Sequence, residues 1–288
     1  MHITVALIVT CNPDLQKVYK TVCSIAKQVS YCIVIDNGNT IFNFQGIENI
    51  IIVNLGRNYG IAYAQNRGIE LAQQYTADFI VLSDQDTIYP PNYIERNIIA
   101  YQDLRNHKLA ALVPVFYNSR KETKSPIMDK KFSSTTDFSR TYIKTAQAIA
   151  SGTFIVTASL HDIGGMNEKL FIDYVDFEWC WKATALGYEI YTISDLIIRH
   201  DLGDDVKIIF GRKVTVRNDV RYYYMIRNGC YLARYSPFLK RHEKFLLFKK
   251  VFIHIAGIIF LKRNIQCIRF IKSAVLAGLL DKMNGENP

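Results

Sequence analysis

At 288 residues, with 49% apolar content and a mean hydropathy of +0.03, the chain suits one large domain or two small ones and is too polar for a multi-spanning membrane protein. Its net charge of +9 is uneven: nine Lys/Arg stand against Glu243 alone between residues 240 and 272, and the rest of the chain is close to neutral. That distribution points to an anionic surface met by the C-terminal tail and argues against nucleic acid gripped by the core. Six cysteines without a C-x-x-C pair or framework spacing read as reduced thiols of a cytosolic protein.

MHITVALIVTCNPD lacks a basic n-region and a small-residue cleavage site, so it reads as a first strand and not as a signal peptide. ITVALIVT, CIVID, IIIVNL, FIVLSD and LAALVPV are Val- and Ile-rich runs bounded by turn residues, and each predicts a strand. Residues 13–28 and 60–75 between them have helical composition, and Pro90–Pro91 opens a third helix through NYIERNIIAYQDL, where Ile94, Ile98 and Tyr101 share a face. Strands alternating with helices predict an α/β fold, a mainly parallel sheet covered on both faces. Ligands bind at the carboxyl ends of such strands, where Asp36 and Asp84 stand. Residues 117–146 are polar and poorly periodic, a mobile connection or a weak hairpin. FIVTAS then resumes a strand, a short helix runs to Gly187, and YEIYTI and LIIRH predict two further strands.

Two constellations carry chemistry. In FIVLSDQDTIYPPN, a strand ends in Asp84 and Asp86, at i and i+2, so both carboxylates face one spot. Two like charges held close are costly unless a cation intervenes, and carboxylate with phosphate oxygens is what Mg²⁺ and Mn²⁺ prefer. A solvated turn is the plain alternative. DQDT also fits the D-x-D-x-T nucleophile loop of haloacid-dehalogenase-like phosphatases, with GDD at 203–205 as a distal acidic motif, although that loop normally follows the opening strand. In LFIDYVDFEWCWKATALGY, Val175, Trp179, Ala183 and Leu186 fall at helical spacing and predict a core face. Asp173, Asp176 and Glu178 at its start either favour the helix dipole or offer a general base beside aromatic rings. His200, in RHDLGDD, is a structural residue, a metal ligand or a phosphate contact.

VALIVTCNPD, IVIDNGNT, NLGRNYGIAYAQNRGIELA, VLSDQDT, ASGTFIVTASLHDIGGMNEKLFIDYVDFEWCWKATALGY and IIRHDLGD occur in that order, with a weaker echo in RYYYMIRN. As an ordered set they resemble the family 2 glycosyltransferases of the GT-A fold, and specifically the bacterial rhamnosyltransferases of O-antigen and capsule assembly. The resemblance implies a GT-A catalytic domain over 1–215 and a helical, basic extension over 216–288. It implies Thr10 and Asp36 in the base and ribose pocket with Arg57 and Asn58 nearby, Asp84 on the nucleotide side, Asp86 and His200 on Mg²⁺ or Mn²⁺, and Asp176 as catalytic base. Asp173, Glu178, Trp179 and Arg227 are candidate donor or acceptor contacts. Lys182 stands where arginine is frequent in the family. The implied reaction inverts the anomeric centre, with dTDP-rhamnose as donor and a polyprenyl-diphosphate-linked oligosaccharide as acceptor. Other readings are a UDP-hexose or galactofuranosyl transferase, the phosphatase, and a non-catalytic sugar-nucleotide-binding protein.

The tail from Lys240 mixes apolar blocks with basic clusters, and its longest uncharged run, VFIHIAGIIFL, is too short to span a bilayer. It reads as an interfacial helix on the inner face of the cell membrane, with a buried helix pair or an oligomer contact as alternatives. Arg221, Tyr222–Tyr224, Arg227 and Asn228 just before it either close over a ligand or pack as an aromatic helix. The expected location is cytoplasmic and peripheral, with no nucleic acid partner.

Overall fold

The computed structural model describes residues 2–118, 123–200, 205–209, 212–216, 219–262 and 265–283, with backbone alone at 118, 200, 205–209, 212–216, 261, 262 and 265–267. The chain forms two compact units: Met1–Glu168 with Asp176–Asp201, and Lys169–Val175 with Leu202–Pro288.

In the first unit, β1 (Thr4–Thr10), α1 (Leu15–Ile25), β2 (Tyr31–Asp36), β3 (Ile50–Asn54), α2 (Ile61–Gln74), β4 (Phe79–Asp84), β5 (Thr87–Ile88) and α3 (Tyr93–Asp103) follow one another. Then come β6 (Leu109–Asn118), β7 (Thr123–Lys124), β8 (Ile127–Lys130), β9 (Ser133–Thr135), β10 (Tyr142–Lys144), β11 (Phe154–Val156), α4 (Leu160–Ile163), α5 (Val175–Ala185) and β12 (Glu189–His200). One ten-stranded sheet runs β10-β12-β6-β11-β4-β1-β2-β3, with β5 on β12 and β7 on β6. β4, β1, β2 and β3 are parallel, as are β6 and β12, while β11 runs antiparallel between β4 and β6. This is the expected mixed, mainly parallel sheet.

Alternation along the strands divides the core. Ala6, Ile8, Cys32, Val34, Phe79 and Val81 pack with Val18, Val22 and Ile25 of α1 and with Ile94 and Ala100 of α3. α1 starts sharply because the Asp14 carboxylate accepts the Gln16 and Lys17 amides at 3.0 and 3.3 Å. Residues of opposite parity face α2, which lies so close that a Cβ on Gly68 would sit 2.0 Å from Leu7 Cδ1. The register aligns the carboxyl ends: Thr10 beside Asp36, Asp36 beside Asn54, and Val9 beside Asp84.

Three expectations change in detail. The predicted strands 188–193 and 196–200 are one strand, β12, because a register irregularity between Thr192 and Ile197 lets the pairing with β6 resume. The polar segment 117–146 holds the β8–β9 hairpin and β10 on the sheet edge, so of its two readings the hairpin is the one found. FIVTAS is extended only to Val156, and Thr157–Ser159 turn into a 3₁₀ helix.

The second unit contains the hairpin of β13 (Asp205–Ile209) and β14 (Arg212–Val216), followed by α6 (Asp219–Tyr235), α7 (Arg241–Lys262) and α8 (Ile265–Leu279). α6 is its axis, with Tyr222 through Cys230 all buried. α7 buries only a narrow seam, Leu247, Val251 and Ile258.

Replacing Gly68 with valine is expected to destabilise the protein by about 1–3 kcal/mol, because α2 must lift from β1 or Leu7 must leave its rotamer. Urea unfolding followed by far-UV circular dichroism measures it. An unchanged midpoint would mean that α2 is not seated this closely.

Candidate active site

The site is built from the strand ends outward. Asp36 closes β2 with no exposed surface, and its Oδ1 accepts the Thr10 hydroxyl at 3.0 Å. Its Oδ2 accepts the Thr40 amide at 2.6 Å and the Asn54 side-chain amide at 3.4 Å. A buried carboxylate with both oxygens hydrogen-bonded in this way orders the three loops around it. Asn37 next to it knits two of them together: its Nδ2 donates to Asn58 Oδ1 at 3.0 Å, and its Oδ1 accepts the Tyr59 amide at 2.8 Å. Asn58 Oδ1 also takes the Gly60 amide at 2.9 Å, at the start of α2. Arg57 is exposed and its guanidinium lies 4.5 Å over the Tyr59 ring, which stacks on Tyr63. Thr10, Asp36, Arg57 and Asn58 therefore share one rim.

Asp84 ends β4 on the same rim. Between it and Asp86, Gln85 turns its side chain to β1: Oε1 accepts the Cys11 amide at 3.0 Å, and the Gln85 carbonyl accepts the Thr21 hydroxyl at 3.1 Å. Both aspartates are half-buried. Thr87, the next residue, is fully buried, bonds to the Ser151 hydroxyl, and lies opposite His200 in the β5–β12 register. The backbone thus brings residue 200 beside the end of the DQD turn, although the His200 side chain lies outside the described set. Gly203 and Asp204 lie outside it as well.

Asp176, in the first turn of α5, reaches the same place from the other side. Its Oδ2 accepts the Ala150 amide at 3.2 Å and its Oδ1 the Phe177 amide at 2.9 Å. Ala150 and Ser151 are adjacent, so one turn touches both Asp176 and the residue following Asp86. That turn is pinned under β4: the Gly152 amide donates to Leu82 O at 2.7 Å, and the Leu82 amide to Thr153 O at 2.9 Å. Gly152 has φ +75°, and a Cβ there would meet Ile198 Cδ1 at 2.7 Å and Pro114 Cγ at 2.8 Å, so no other residue fits.

The remaining candidates are placed differently. Trp179 is 1% exposed and donates its indole N–H to Gly164 O at 3.0 Å; with Val175 and Ala183 it forms the expected core face, from which Leu186 is excluded because α5 ends at Ala185. Glu178 is also buried; desolvation pushes its carboxyl up, against the Lys182 charge and a hydrogen bond from Asn167, and Oε2 has no hydrogen-bond partner. Lys182, itself pushed down by burial, donates to Gly165 O at 2.8 Å.

Within the second unit, Arg227 is 1% exposed and works on backbone: it donates to Lys169 O, Leu170 O and Met283 O at 3.0 to 3.2 Å. Asn228 Nδ2 adds Leu170 O, Ile172 O and Asp173 O at 2.7 to 3.0 Å. The loop they hold is strained, with φ of +62°, +64° and +66° at Phe171, Asp173 and Tyr174. Asp173 takes an ion pair from Arg221 at 3.0 Å. Tyr222–Tyr224 are buried, so the packed aromatic helix is the reading realised.

Sequence reasoning missed Asn37, Asn54, Gln85, Thr87 and Ser151. The N-G and R-N-Y-G turns flag two of their loops, but nothing local marks Ser151 as a partner of Thr87.

The donor set can be tested against a divalent cation. Among the described residues no cluster of three or more His, Cys, Asp or Glu is assembled. Mg²⁺ and Mn²⁺ need no such cage when one or two carboxylates are completed by waters and substrate phosphates, and Asp84 and Asp86 supply that pair on an open rim. The residues fit.

Asn228→Ala is expected to cost about 1–3 kcal/mol by leaving loop carbonyls unmet, and to expose 169–174 to limited proteolysis. Undiminished stability with unchanged cleavage would show that the clamp is slack. Glu178 binds its proton more tightly folded than unfolded, so it lowers stability as pH rises above the ordinary value of 4.5. The stability of Glu178→Gln minus that of wild type should therefore increase from pH 4 to pH 7 in urea titrations; a flat difference would contradict the burial of this charge.

Residues 5–163 match the model of glycosyl transferase family 2. The chain is 34% identical over 287 residues to the dTDP-rhamnosyl transferase RfbF of Shigella flexneri, covering 95% of this chain and 93% of that protein. Among solved structures, TarS 1–349 of S. aureus in complex with UDP-GlcNAc is similar with a TM-score of 0.62 and 14% identity, over 98% of this chain and 82% of that one. GalNAc-T7 with UDP, GalNAc and Mn²⁺ is similar with a TM-score of 0.57 and 11% identity, over 87% of this chain but only 54% of that one. With the parallel strand ends and the loops that converge on them, these likenesses place the fold as GT-A-like, and the chain belongs to glycosyl transferase family 2.

Proposed function

We propose that the enzyme is an inverting, metal-dependent rhamnosyltransferase using dTDP-rhamnose, acting on a polyprenyl-diphosphate-linked oligosaccharide in bacterial surface polysaccharide synthesis. Residues 1–215 are its catalytic domain and 216–288 its extension, which meets the inner face of the cell membrane. The observation that carries the catalytic part is the 150–152 turn, which holds Asp176 through Ala150 and, through Ser151, the threonine that follows Asp86. The likeness to a dTDP-rhamnosyl transferase along nearly the whole chain supports the donor.

In this mechanism the rim formed by Thr10, Asp36, Arg57 and Asn58 seats the nucleoside, and Asp84 contacts the nucleotide side of the donor. Asp86, with His200, would hold Mg²⁺ or Mn²⁺ against the diphosphate. A cation held there would supply positive charge to offset that of the departing nucleoside diphosphate. Asp176 takes the proton of the acceptor hydroxyl as that oxygen attacks C1 from the face opposite the leaving group. The transition state is oxocarbenium-like, and direct displacement inverts the anomeric centre. The amides of Ala150 and Phe177 fix the carboxylate of Asp176 in the orientation this step needs. Asp173 and Glu178 flank it in sequence; Glu178, Trp179 and Arg227 serve by packing rather than by direct contact. Family membership leaves the phosphatase reading without support. A UDP-hexose or galactofuranosyl donor is the alternative that the same site would accommodate.

Calorimetry with dTDP-rhamnose, UDP-galactose, UDP-galactofuranose and UDP-glucose, each with Mg²⁺, Mn²⁺ or EDTA, tests the donor and the metal together. Binding of dTDP-rhamnose that is lost in EDTA is expected, and a preference for any UDP-sugar would overturn the rhamnose assignment. Asp176→Asn should leave donor affinity within a few-fold and cut transfer from labelled donor into membrane lipid extracts by roughly 10²–10⁴-fold. Equal losses of binding and rate would remove Asp176 from the role of base. Asp86→Asn should weaken donor binding in Mg²⁺ and leave the weaker EDTA value unchanged.

A further inference from the structure

α7 presents two apolar faces, one buried and one exposed. Leu247, Val251 and Ile258, at 0%, 3% and 4% exposure, recur at i, i+4 and i+11 and form the seam buried within the helical unit. The opposite side exposes Phe245 at 69%, Phe252 at 66%, Ile253 at 58%, Phe248 at 48%, Phe260 at 47% and Ile259 at 41%. From Phe245 to Phe260 this face runs about 22 Å along the helix. Scattered single exposed apolar residues need no explanation, but a row of four phenylalanines along one helix does.

We propose that this outward face of α7 docks on the anionic leaflet of a membrane. Charge selects that occupant. The segment 240–272 carries nine Lys/Arg and the single acid Glu243. Lys249 falls at helical spacing between Phe245, Phe252 and Ile253, and both it and Lys250 are exposed. An ammonium on a four-carbon stem set among phenylalanines is suited to an interface, with the stem along the acyl boundary and the charge among lipid phosphates. A second copy of the chain is the worse occupant, because it would bring the same set of cations against itself. Crossing the bilayer is a different arrangement: among the described residues, no helix is long and apolar enough for it. The helix therefore lies in the interfacial plane, anchored from behind by its own seam on the helical unit. The inference rests on the proposed membrane contact of residues 216–288 and names the face and the lipid charge that make it; it is independent of which sugar is transferred.

Cosedimentation of the full chain with vesicles of phosphatidylethanolamine and phosphatidylglycerol, against phosphatidylcholine vesicles, tests it at low and high salt. The wild type should bind the anionic vesicles, release partly as salt rises, and stay in solution with phosphatidylcholine. The variant Phe245→Ser, Phe252→Ser, Phe260→Ser should lose at least roughly tenfold in partitioning while keeping its far-UV spectrum and thermal midpoint. Lys249→Glu with Lys250→Glu, which leaves every apolar residue in place, should lose binding most strongly at low salt. Equal binding to both lipids, or undiminished binding by a folded serine variant, would overturn the proposal. So would light scattering that finds a wild-type dimer and a monomeric serine variant, which would make the face a self-interface.

Discussion

The arrangement of the first unit depends on one glycine in the left-handed region. Gly152 lies where β4, β6 and β12 leave no room for a side chain, with Ile198 and Pro114 closing the space a Cβ would take. Its amide and the Thr153 carbonyl are both bonded to Leu82, two residues before Asp84. The turn it permits therefore has no freedom to slide relative to the strand end. Ala150 and Ser151 inherit that rigidity and pass it on, one to Asp176 and the other to Thr87. Two carboxylates far apart in sequence, Asp86 and Asp176, are thereby referred to a single backbone frame. In the proposed mechanism such positioning matters, because a misplaced base costs far more rate than a slightly weaker one.

The polar groups of the unit follow two different rules. Around Asp36 both carboxylate oxygens are met, by three hydrogen bonds that tie the surrounding loops to the end of β2. Around Glu178 the opposite holds: a carboxyl is buried with one oxygen unmet and its proton affinity raised, next to a lysine whose own affinity is lowered. Such a pair contributes little stability, since desolvation offsets most of the attraction. It sits on the helix that carries Asp176, beside the buried rings of Trp179 and Trp181.

Much of the fold was legible because parallel strands buried on both faces read as uninterrupted Val and Ile runs, and the order of elements through Leu109–Asn118 follows from them. Strand ends were legible too: Asp36 and Asp84 follow from the alternation of strands and helices, while Thr10 enters through the family resemblance. What could not be read has physical reasons. The irregularity that joins two predicted strands into β12 depends on pairing with β6, a partner some 80 residues away. Ser151 meets Thr87 only because the sheet inserts β11 antiparallel beside β4, which no local pattern announces. Trp179 and Arg227 looked like contact residues, since aromatic and guanidinium groups serve both roles, and burial alone separates the roles.

Arg227 shows how far such a residue can be from its apparent purpose. An arginine is expected to meet a carboxylate or a phosphate, yet its described hydrogen bonds go to three backbone carbonyls and the Asn228 side chain. Desolvation lowers its proton affinity, and only the Tyr224 and Tyr223 rings oppose that shift. Removing it would take these bonds from Lys169 O and Leu170 O, beside a loop where Phe171, Asp173 and Tyr174 already hold a conformation that side chains disfavour by about 1–3 kcal/mol each. A loop of that kind does not persist through its own preferences. It persists because Arg227 and Asn228 of α6 hold its carbonyls. The RYYYMIRN segment is then best understood as a device that holds the 169–174 loop, built from residues whose chemistry would suit a ligand equally well.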